Sequence, residues 1–444
     1  MRNLIDKYAV AAPRYTSYPS YPHWEGPPTE KEWFDNIGAN PEIDLYIHIP
    51  YCEKLCLYCG CNRQITKNHE LERPYLKLLL KEIEIYKRNL GHIKVNNLHF
   101  GGGTPTFISA ENFDWFLNKL FKLVSKGAHF SGSFEADPRV TQEDHYRVLA
   151  DYGLDRVSFG IQDFSENVQK AIGRIQPYSM VTEAITMARK WGYQSVNFDI
   201  IYGLPLQTQE TIDDSFDKVQ ELSPDTVAFF SYAHVPWKIK HQKALEKYPL
   251  SQGREKYLLK IRGERRLVES GYIHLGLDHF VKPFDPLYQA YQQKSLQRNF
   301  MGYTTACSKT LIGIGCTSIS DASNCYIQNM KSVSDYQNSI NQGKLALENG
   351  HQLTLEEKTI RDTIQSLFCH QEFDLRSVAD VYKCEKLKAL IEKIAEFERD
   401  DLLQKKGNLY LLTEKGKVFS RNMAMAFDLK LRGGIRSGQF SNSI

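Results

Sequence analysis

The sequence is notable first for what it has little of. Fifty-six Lys and Arg against 53 Asp and Glu leave a net charge of +3. No strong field of one sign is available to capture nucleic acid or an anionic membrane. No stretch reaches the ~18 apolar residues that a spanning helix needs. Met1 to Val10 carries charges and lacks the apolar centre of a secretory signal. A disulfide framework is missing too: the nine cysteines are odd in number and unevenly placed. There is no P-loop lysine motif and no HExxH pair. Gly313-x-Gly315 lacks the third glycine of a dinucleotide loop, and no βαβ unit starts there. No internal repeat or low-complexity run stands out. These absences point to a soluble protein of a reducing, cytoplasmic compartment, with no membrane span and no nucleic-acid partner.

What is present is a rhythm. Of 444 residues, 42% are hydrophobic and 12% aromatic, ample for a large core. Residues 1–43, rich in Pro, Tyr and Ser, read as an irregular arm. From Asp44 alternating apolar residues (Leu45, Ile47, Ile49) predict a strand, followed by a helix with Leu76, Leu79, Leu80 and Ile83 on one face. Strands then recur at 95–100, 133–136, 156–161, 196–201 and 227–231, each followed by a helical pattern. Six strand-then-helix units predict parallel strands with right-handed crossovers. Six do not close an eight-fold barrel. The expected fold is therefore α/β, a partial (βα)6 TIM-like barrel over 44–349. A helix near 258–270, a strand near 273–280 and glycine-rich loops around Gly302 and Gly313 to Gly315 complete it. From 350 to 444 helical patterns at 354–369 and 385–399 flank a hairpin at 402–412, and a last helix carries Met423 to Leu431. This reads as a separate, mostly helical domain.

The chemistry concentrates in one loop. Cys52, Cys56, Cys59 and Cys61 fall within ten residues, after the first strand. The CxxxCxxC spacing offers three soft thiolates from one segment, which suits an iron–sulfur cluster or zinc. Three cysteines on a 4Fe-4S cubane leave one iron open, where S-adenosylmethionine (SAM) binds. The zinc alternative would enlist Cys61 as well; structural zinc sites usually pair two separated knuckles, and no second one is found. Cys61 is not assigned to the cluster, because a fourth thiolate would close the open iron.

In barrels of parallel strands the site forms at the C-terminal strand ends. Those ends carry Gly101-Gly102-Gly103-Thr104, Glu135 with Asp137, Gln162 with Asp163, Asp199 before Tyr202-Gly203, and Ala233-His234. A glycine run after a strand lets backbone N–H groups approach a ligand. Glu135 suits the SAM ammonium or ribose, Asp199 a ribose; either is equally a capping carboxylate. His48 reads as a packed core histidine.

The chain resembles the oxygen-independent coproporphyrinogen III oxidases, a radical SAM family. The likeness is carried by PRYTSYP (13–19), YIHIPYC (46–52), CLYCGCN (56–62), LHFGGGTPT (98–106), EADPR (135–139), SFGIQDF (158–164), DIIYGLP (199–205), SYAH (231–234), GLDHF (276–280), RNFMGYTT (298–305) and IGIGCTSIS (312–320). It implies a radical SAM barrel with Cys52, Cys56 and Cys59 on a 4Fe-4S cluster. Tyr46, Gly102, Glu135 and Ile319 would contact the SAM bound there. Tyr58, Gly103, Thr104, Gln162, Arg174, Asp199 and Ala233 fall at positions for a second SAM, with Cys61 nearby. Cys61, Tyr58 and Glu135 are the implied catalytic residues. Some members carry Gln where this chain has Met301, and a thioether cannot donate the hydrogen bond an amide does. The implied reaction removes two carboxylates from coproporphyrinogen III, giving protoporphyrinogen IX. It implies a monomer served by an electron donor of flavodoxin or ferredoxin type and by an unidentified electron acceptor. Arg14 and Arg298 are candidates for the substrate's propionates. The alternatives are a haem-trafficking protein or another tetrapyrrole-modifying radical SAM enzyme.

Overall fold

A computed structural model of the chain describes residues 2–8, 10–305, 308–322, 324–382, 385–431 and 440. Its centre is a twelve-stranded sheet. The first six strands are β1 (Glu42–Ile49), β2 (Lys94–Gly102), β3 (Ser125–Ala136), β4 (Leu154–Gln162), β5 (Ser195–Tyr202) and β6 (Thr226–Ser231). They pair in chain order and all run parallel. Helices Glu72–Leu90, Ala110–Leu123, Glu143–Asp151, Tyr178–Lys190 and Gln209–Leu222 fill the crossovers, and Gly253–Glu269 comes after β6. The six-unit open barrel is as the sequence periodicity predicts.

Alternation along the strands divides the two faces, since successive side chains point opposite ways. Phe100, Phe134, Phe159 and Phe198 are fully buried in the core between strands and helices. Phe100 meets Phe113 and Phe116 of the helix behind it, edge to face. Their neighbours His99, Glu135, Ser158 and Asp199 line the opposite face, the barrel lumen. An apolar wall thus faces outward and a polar one inward at the same depth.

The sheet extends further than the periodicity suggests. β7 (Ile273–Gly276) and β8 (His279–Val281) form a hairpin, broken at Leu277, whose φ is 45°. The single strand expected at 273–280 is therefore two, and β8 joins β6 antiparallel. On the other edge β9 (Leu311–Ile314) lies parallel to β1. β10 (Ile319–Asp321), β11 (Cys325–Asn329) and β12 (Leu347–Gln352) continue antiparallel. Segments expected as glycine-rich loops are strands there. β3 is also longer than the four residues predicted, beginning at Ser125, because its polar first half shows no alternation.

The arm holds two helices, Arg2–Tyr8 and Glu30–Ile37; the second starts on a Thr29/Glu32 capping box. Ile5, Tyr8, Tyr15 and Tyr18 share an apolar cluster with Phe368, Phe397 and Phe419. The C-terminal segment has helices Leu355–Cys369, Glu385–Arg399 and Ser420–Phe427 around a three-stranded antiparallel sheet.

One buried carboxylate locks the sheet's extension to the first crossover helix. Glu82 is fully buried and accepts from Tyr336 Oη at 2.6 Å, Asn329 Nδ2 at 2.7 Å and the Gly315 amide at 2.8 Å. Burial pushes its carboxyl up to about 7 from 4.5. The native state then holds its proton where the unfolded chain releases it, so the stability it lends falls as pH rises from about 4.5 to about 7. Glu82→Gln is expected to flatten that part of the stability-versus-pH curve. Glu82→Ala should cost roughly 3 kcal/mol in denaturant titration, since three buried donors lose their acceptor.

Candidate active site

The cysteine loop leaves the end of β1 and is held at both shoulders. Tyr51–Cys52 pairs parallel with Gln64–Ile65, and the Gly103 and Thr104 amides donate to Ile49 and Tyr51 carbonyls at 2.7 and 2.9 Å. The Leu57 amide donates to the Ile172 carbonyl at 2.9 Å, tying the loop to the fourth crossover. Cys52 and Cys56 are buried, Cys59 is half-buried and Cys61 is exposed. Thr104 Oγ1 donates to Cys52 Sγ at 3.2 Å. Arg174 Nη1 and Arg139 Nη2 reach Cys56 Sγ at 3.5 and 3.6 Å.

Beneath this lies a buried ionic cluster. Asp137, at the end of β3, accepts from Arg174 at 3.0 Å and from Arg139 at 2.6 Å. Burial alone would raise its carboxyl, but the two guanidiniums hold it at about 2. Burial pushes Cys52 up to about 11. Cys59 is drawn down to about 6, first by the hydrogen bond it shares with Cys61 and then, against burial, by Arg63 and Arg174; the same bond pushes Cys61 up. Thiolate charge thus has donors waiting, which suits an anionic cluster. Among the described residues no three His, Cys, Asp or Glu side chains converge on one shared ion.

The glycine run fits a close approach. A Cβ on Gly102, at φ +118°, would fall 2.7 Å from His48 Cε1; one on Gly103 would fall 2.8 Å from the Tyr51 carbonyl and 3.0 Å from Cys52 Sγ. The Gly102 amide donates to Glu135 Oε2 at 3.2 Å. Tyr46 stacks on His99 and its hydroxyl meets His48 Nδ1 at 3.0 Å. Burial lowers His48 to about 4, so it is neutral, a buried histidine as expected. Tyr46 pairs with Gly313, and a Cβ there would meet the Ile319 carbonyl at 2.5 Å, placing Ile319 two strands from Tyr46, on β10.

Glu135 and Asp199 line a lumen cavity of about 330 Å³. Asp199 accepts from Asn197 at 2.8 Å and Ser158 at 3.3 Å; burial, then Glu135, raises it to about 7. Gln162 closes β4 at φ 70°, a left-handed conformation uncommon outside glycine, near Arg174 across Gly160. Gln242 Nε2 donates to the Tyr58 and Ala233 carbonyls at 2.9 and 3.2 Å, clasping those two positions together. Met301 lines the lumen at 39% exposure. Tyr46, Tyr58, Gly102, Gly103, Thr104, Glu135, Gln162, Arg174, Asp199 and Ala233 therefore stand around or beside the cysteine loop and lumen. Ile319 packs partly into a separate cluster with Trp24 and Tyr326.

Sequence reasoning missed Arg139, His99, His241 and Gln242. His241 Nε2 lies 2.9 Å from the Cys59 carbonyl oxygen and 3.0 Å from Arg63. Arg139 was legible in part, since it sits two residues after Asp137 at a strand end. His241 and Gln242 carry no local signal. Two outcomes are expected. Gly103→Ala should lower the iron bound per chain several-fold, because the methyl has only Cys52 and backbone to displace. Arg174→Gln should move the reduction midpoint of the reconstituted cluster to more negative potential in an EPR titration, since a positive charge beside Cys56 is lost.

Comparisons with known proteins bear on these residues. The radical SAM superfamily model matches residues 46–219. The oxygen-independent coproporphyrinogen III oxidase of Helicobacter pylori J99 is 36% identical over 97% of this chain and 96% of its own length. That of Escherichia coli K12 is 34% identical over 99% and 98%. The solved structure of coproporphyrinogen III oxidase (HemN) from Escherichia coli, described as a radical SAM enzyme, superposes with a TM-score of 0.89 at 31% identity, over 97% of this chain and 99% of that one. The chain belongs to the oxygen-independent coproporphyrinogen III oxidase family of the radical SAM superfamily.

Proposed function

We propose that this chain oxidatively decarboxylates two propionate side chains of coproporphyrinogen III to vinyl groups, yielding protoporphyrinogen IX in haem biosynthesis. The observation that carries it is the three-cysteine loop at the barrel mouth, in a chain similar over nearly its whole length to the family's oxidases. The relatives' names favour this over the haem-trafficking reading and over other tetrapyrrole modifications.

When bound, a 4Fe-4S cluster on Cys52, Cys56 and Cys59 with SAM supplies a hydrogen-abstracting radical. Each propionate then loses a hydrogen atom from its β-carbon, CO2 and one electron. The chain's own work is placement and shielding. Thr104, Arg139 and Arg174 direct donors at thiolate sulfur, and Asp137 keeps both guanidiniums aimed there. Gly102 and Gly103 bring their backbone close against the cysteine loop, where a ligand's amino and carboxylate groups would bind. Tyr46, Gly102, Glu135 and Ile319 would contact the SAM bound to the cluster, Glu135 through its ammonium or ribose, and Asp199 would meet a ribose hydroxyl. Gly103, Thr104, Gln162, Arg174, Asp199, Ala233 and Tyr58 are retained as the second SAM position. Cys61, exposed beside Cys59, is retained with Tyr58 and Glu135 as catalytic.

The reading includes a one-electron donor of flavodoxin or ferredoxin type, an electron acceptor, a monomeric state and a reducing cytoplasm. All seven described cysteines are free, which suits that compartment. Among the described residues no helix is long and apolar enough to cross a membrane. Of the division at 1–43, 44–349 and 350–444, the boundary near 350 is supported by the separate apolar clusters of the barrel and of the C-terminal segment, while the arm contributes to both.

The test is anaerobic. Reconstituted protein given coproporphyrinogen III, SAM and reductant should form protoporphyrinogen IX and 5′-deoxyadenosine together, read by chromatography. Both should vanish in Cys56→Ala. Deoxyadenosine without vinyl product in the wild type, with an electron acceptor supplied, would refute the substrate.

A further inference from the structure

A second cavity of about 220 Å³ adjoins the lumen. The arm, the end of β6, the β7–β8 turn, residues 298–302 and the C-terminal segment enclose it. It shares Phe230, His279 and Met301 with the lumen cavity, so one thin wall separates the two. Its lining is strongly unbalanced: Arg14, Lys260, Arg298, Lys417 and Arg421 face a single carboxylate, Asp278. Lys260 and Lys417 are neutralised by Glu264 and Glu414. The guanidiniums are held differently. Arg14 donates to the Ser231 carbonyl at 3.0 Å, Arg298 to the Tyr15 carbonyl at 2.7 Å and Arg421 to the Pro13 carbonyl at 3.1 Å. Such carbonyls orient the Arg14 and Arg298 guanidiniums without cancelling their charge. Arg14 and Arg298 make no ion pair among the described residues, and each commits to that carbonyl one of its five N–H donors.

The charges press on one another. Lys256, behind the cavity, donates to the Tyr232 carbonyl at 2.7 Å; burial first, then Arg14 and Arg421, lowers it to about 8. Burial and Arg14 lower Arg421 to about 10. An arriving anion relieves such crowding. At the shared wall, His279 Nδ1 is buried with no hydrogen-bond partner among the described residues. Burial holds that ring neutral, at about 4. It offers a polar atom where a ligand would pass from one cavity to the other.

We propose that this cationic pocket, centred on Arg14, Arg298 and Arg421, binds propionate carboxylates of the substrate while the ring turns another propionate toward the site of radical chemistry. The proposal rests on the tetracarboxylate substrate proposed above. Two adjoining cavities, one cationic and one in the barrel lumen reaching Glu135 and Asp199, match a ring that carries several carboxylates on its rim. Bidentate guanidinium–carboxylate pairing would set which propionate reaches the radical.

The test titrates anaerobically reconstituted holoenzyme with coproporphyrin III, the stable oxidised tetracarboxylate, and with its tetramethyl ester. Binding is read by tryptophan fluorescence, with iron content as the control on folding. Wild type should bind the acid at least about tenfold more tightly than the ester, and Arg14→Gln/Arg298→Gln should lose at least about tenfold for the acid and little for the ester. Arg298→Lys, which keeps the charge, should recover part of the loss. Should the double variant lose iron, Arg14→Gln alone, at an exposed residue, carries the expectation of a loss of about threefold. Equal affinity of acid and ester in the wild type, or unchanged acid affinity in an iron-loaded variant, overturns the pocket. Arginine-dependent binding of the acid by a wild type that forms no vinyl product leaves the pocket standing and overturns the decarboxylase reading alone.

Discussion

Asp137 is buried at the end of β3 between two guanidiniums, and both reach on to the sulfur of Cys56. Arg139 comes from the turn after the same strand and Arg174 from the crossover after β4, while Cys56 comes from the loop after β1. One ionic cluster therefore ties three parts of the barrel rim to the cysteine loop. A buried pair of this kind contributes little net stability, because desolvation offsets the attraction. Its value here lies in position. Two cations whose own counter-charge is a fixed carboxylate each present one donor to the Cys56 sulfur, and Arg174 is further tied to the Gly160 carbonyl at 2.9 Å.

The rest of the site depends on that anchoring through the parallel sheet. Alternation sends Phe100, Phe134, Phe159 and Phe198 into the helix-covered core and their neighbours His99, Glu135, Ser158 and Asp199 into the lumen. The hydrophobic wall that stabilises the barrel is thus what aims the polar set inward. Gly102 and Gly103 then let the end of β2 pack directly against His48 and the backbone and sulfur of the cysteine loop, where no side chain fits. Stability and chemistry are carried by adjacent residues of the same strands.

Much of this was legible in the sequence because it obeys periodicity. The six units stood out where periods of 2 and 3.6 alternate, and Glu135, Gln162 and Asp199 were found by the rule that parallel strands place their sites at C-terminal ends. Features built from short or distant pieces were not. β7 to β12 are three to six residues each, too short to show alternation. The arm's second helix did carry a readable sign, Thr29 with Glu32 three residues on. Arg139 could have been suspected beside Asp137, but its reach to Cys56 depends on the turn. The cationic pocket joins residues 14, 298 and 421, which only the docking of arm and C-terminal segment against the barrel brings together.

The most direct measurement concerns the open iron. Protein reconstituted with 57Fe is examined by Mössbauer spectroscopy before and after SAM is added, in the wild type and in Cys61→Ala. Three thiolate ligands predict a 4Fe-4S spectrum in both proteins, with one iron site distinct from the other three and shifted by SAM. Four equivalent irons insensitive to SAM, or loss of the cluster in Cys61→Ala, would contradict a three-cysteine site and with it the chemistry assigned to this loop.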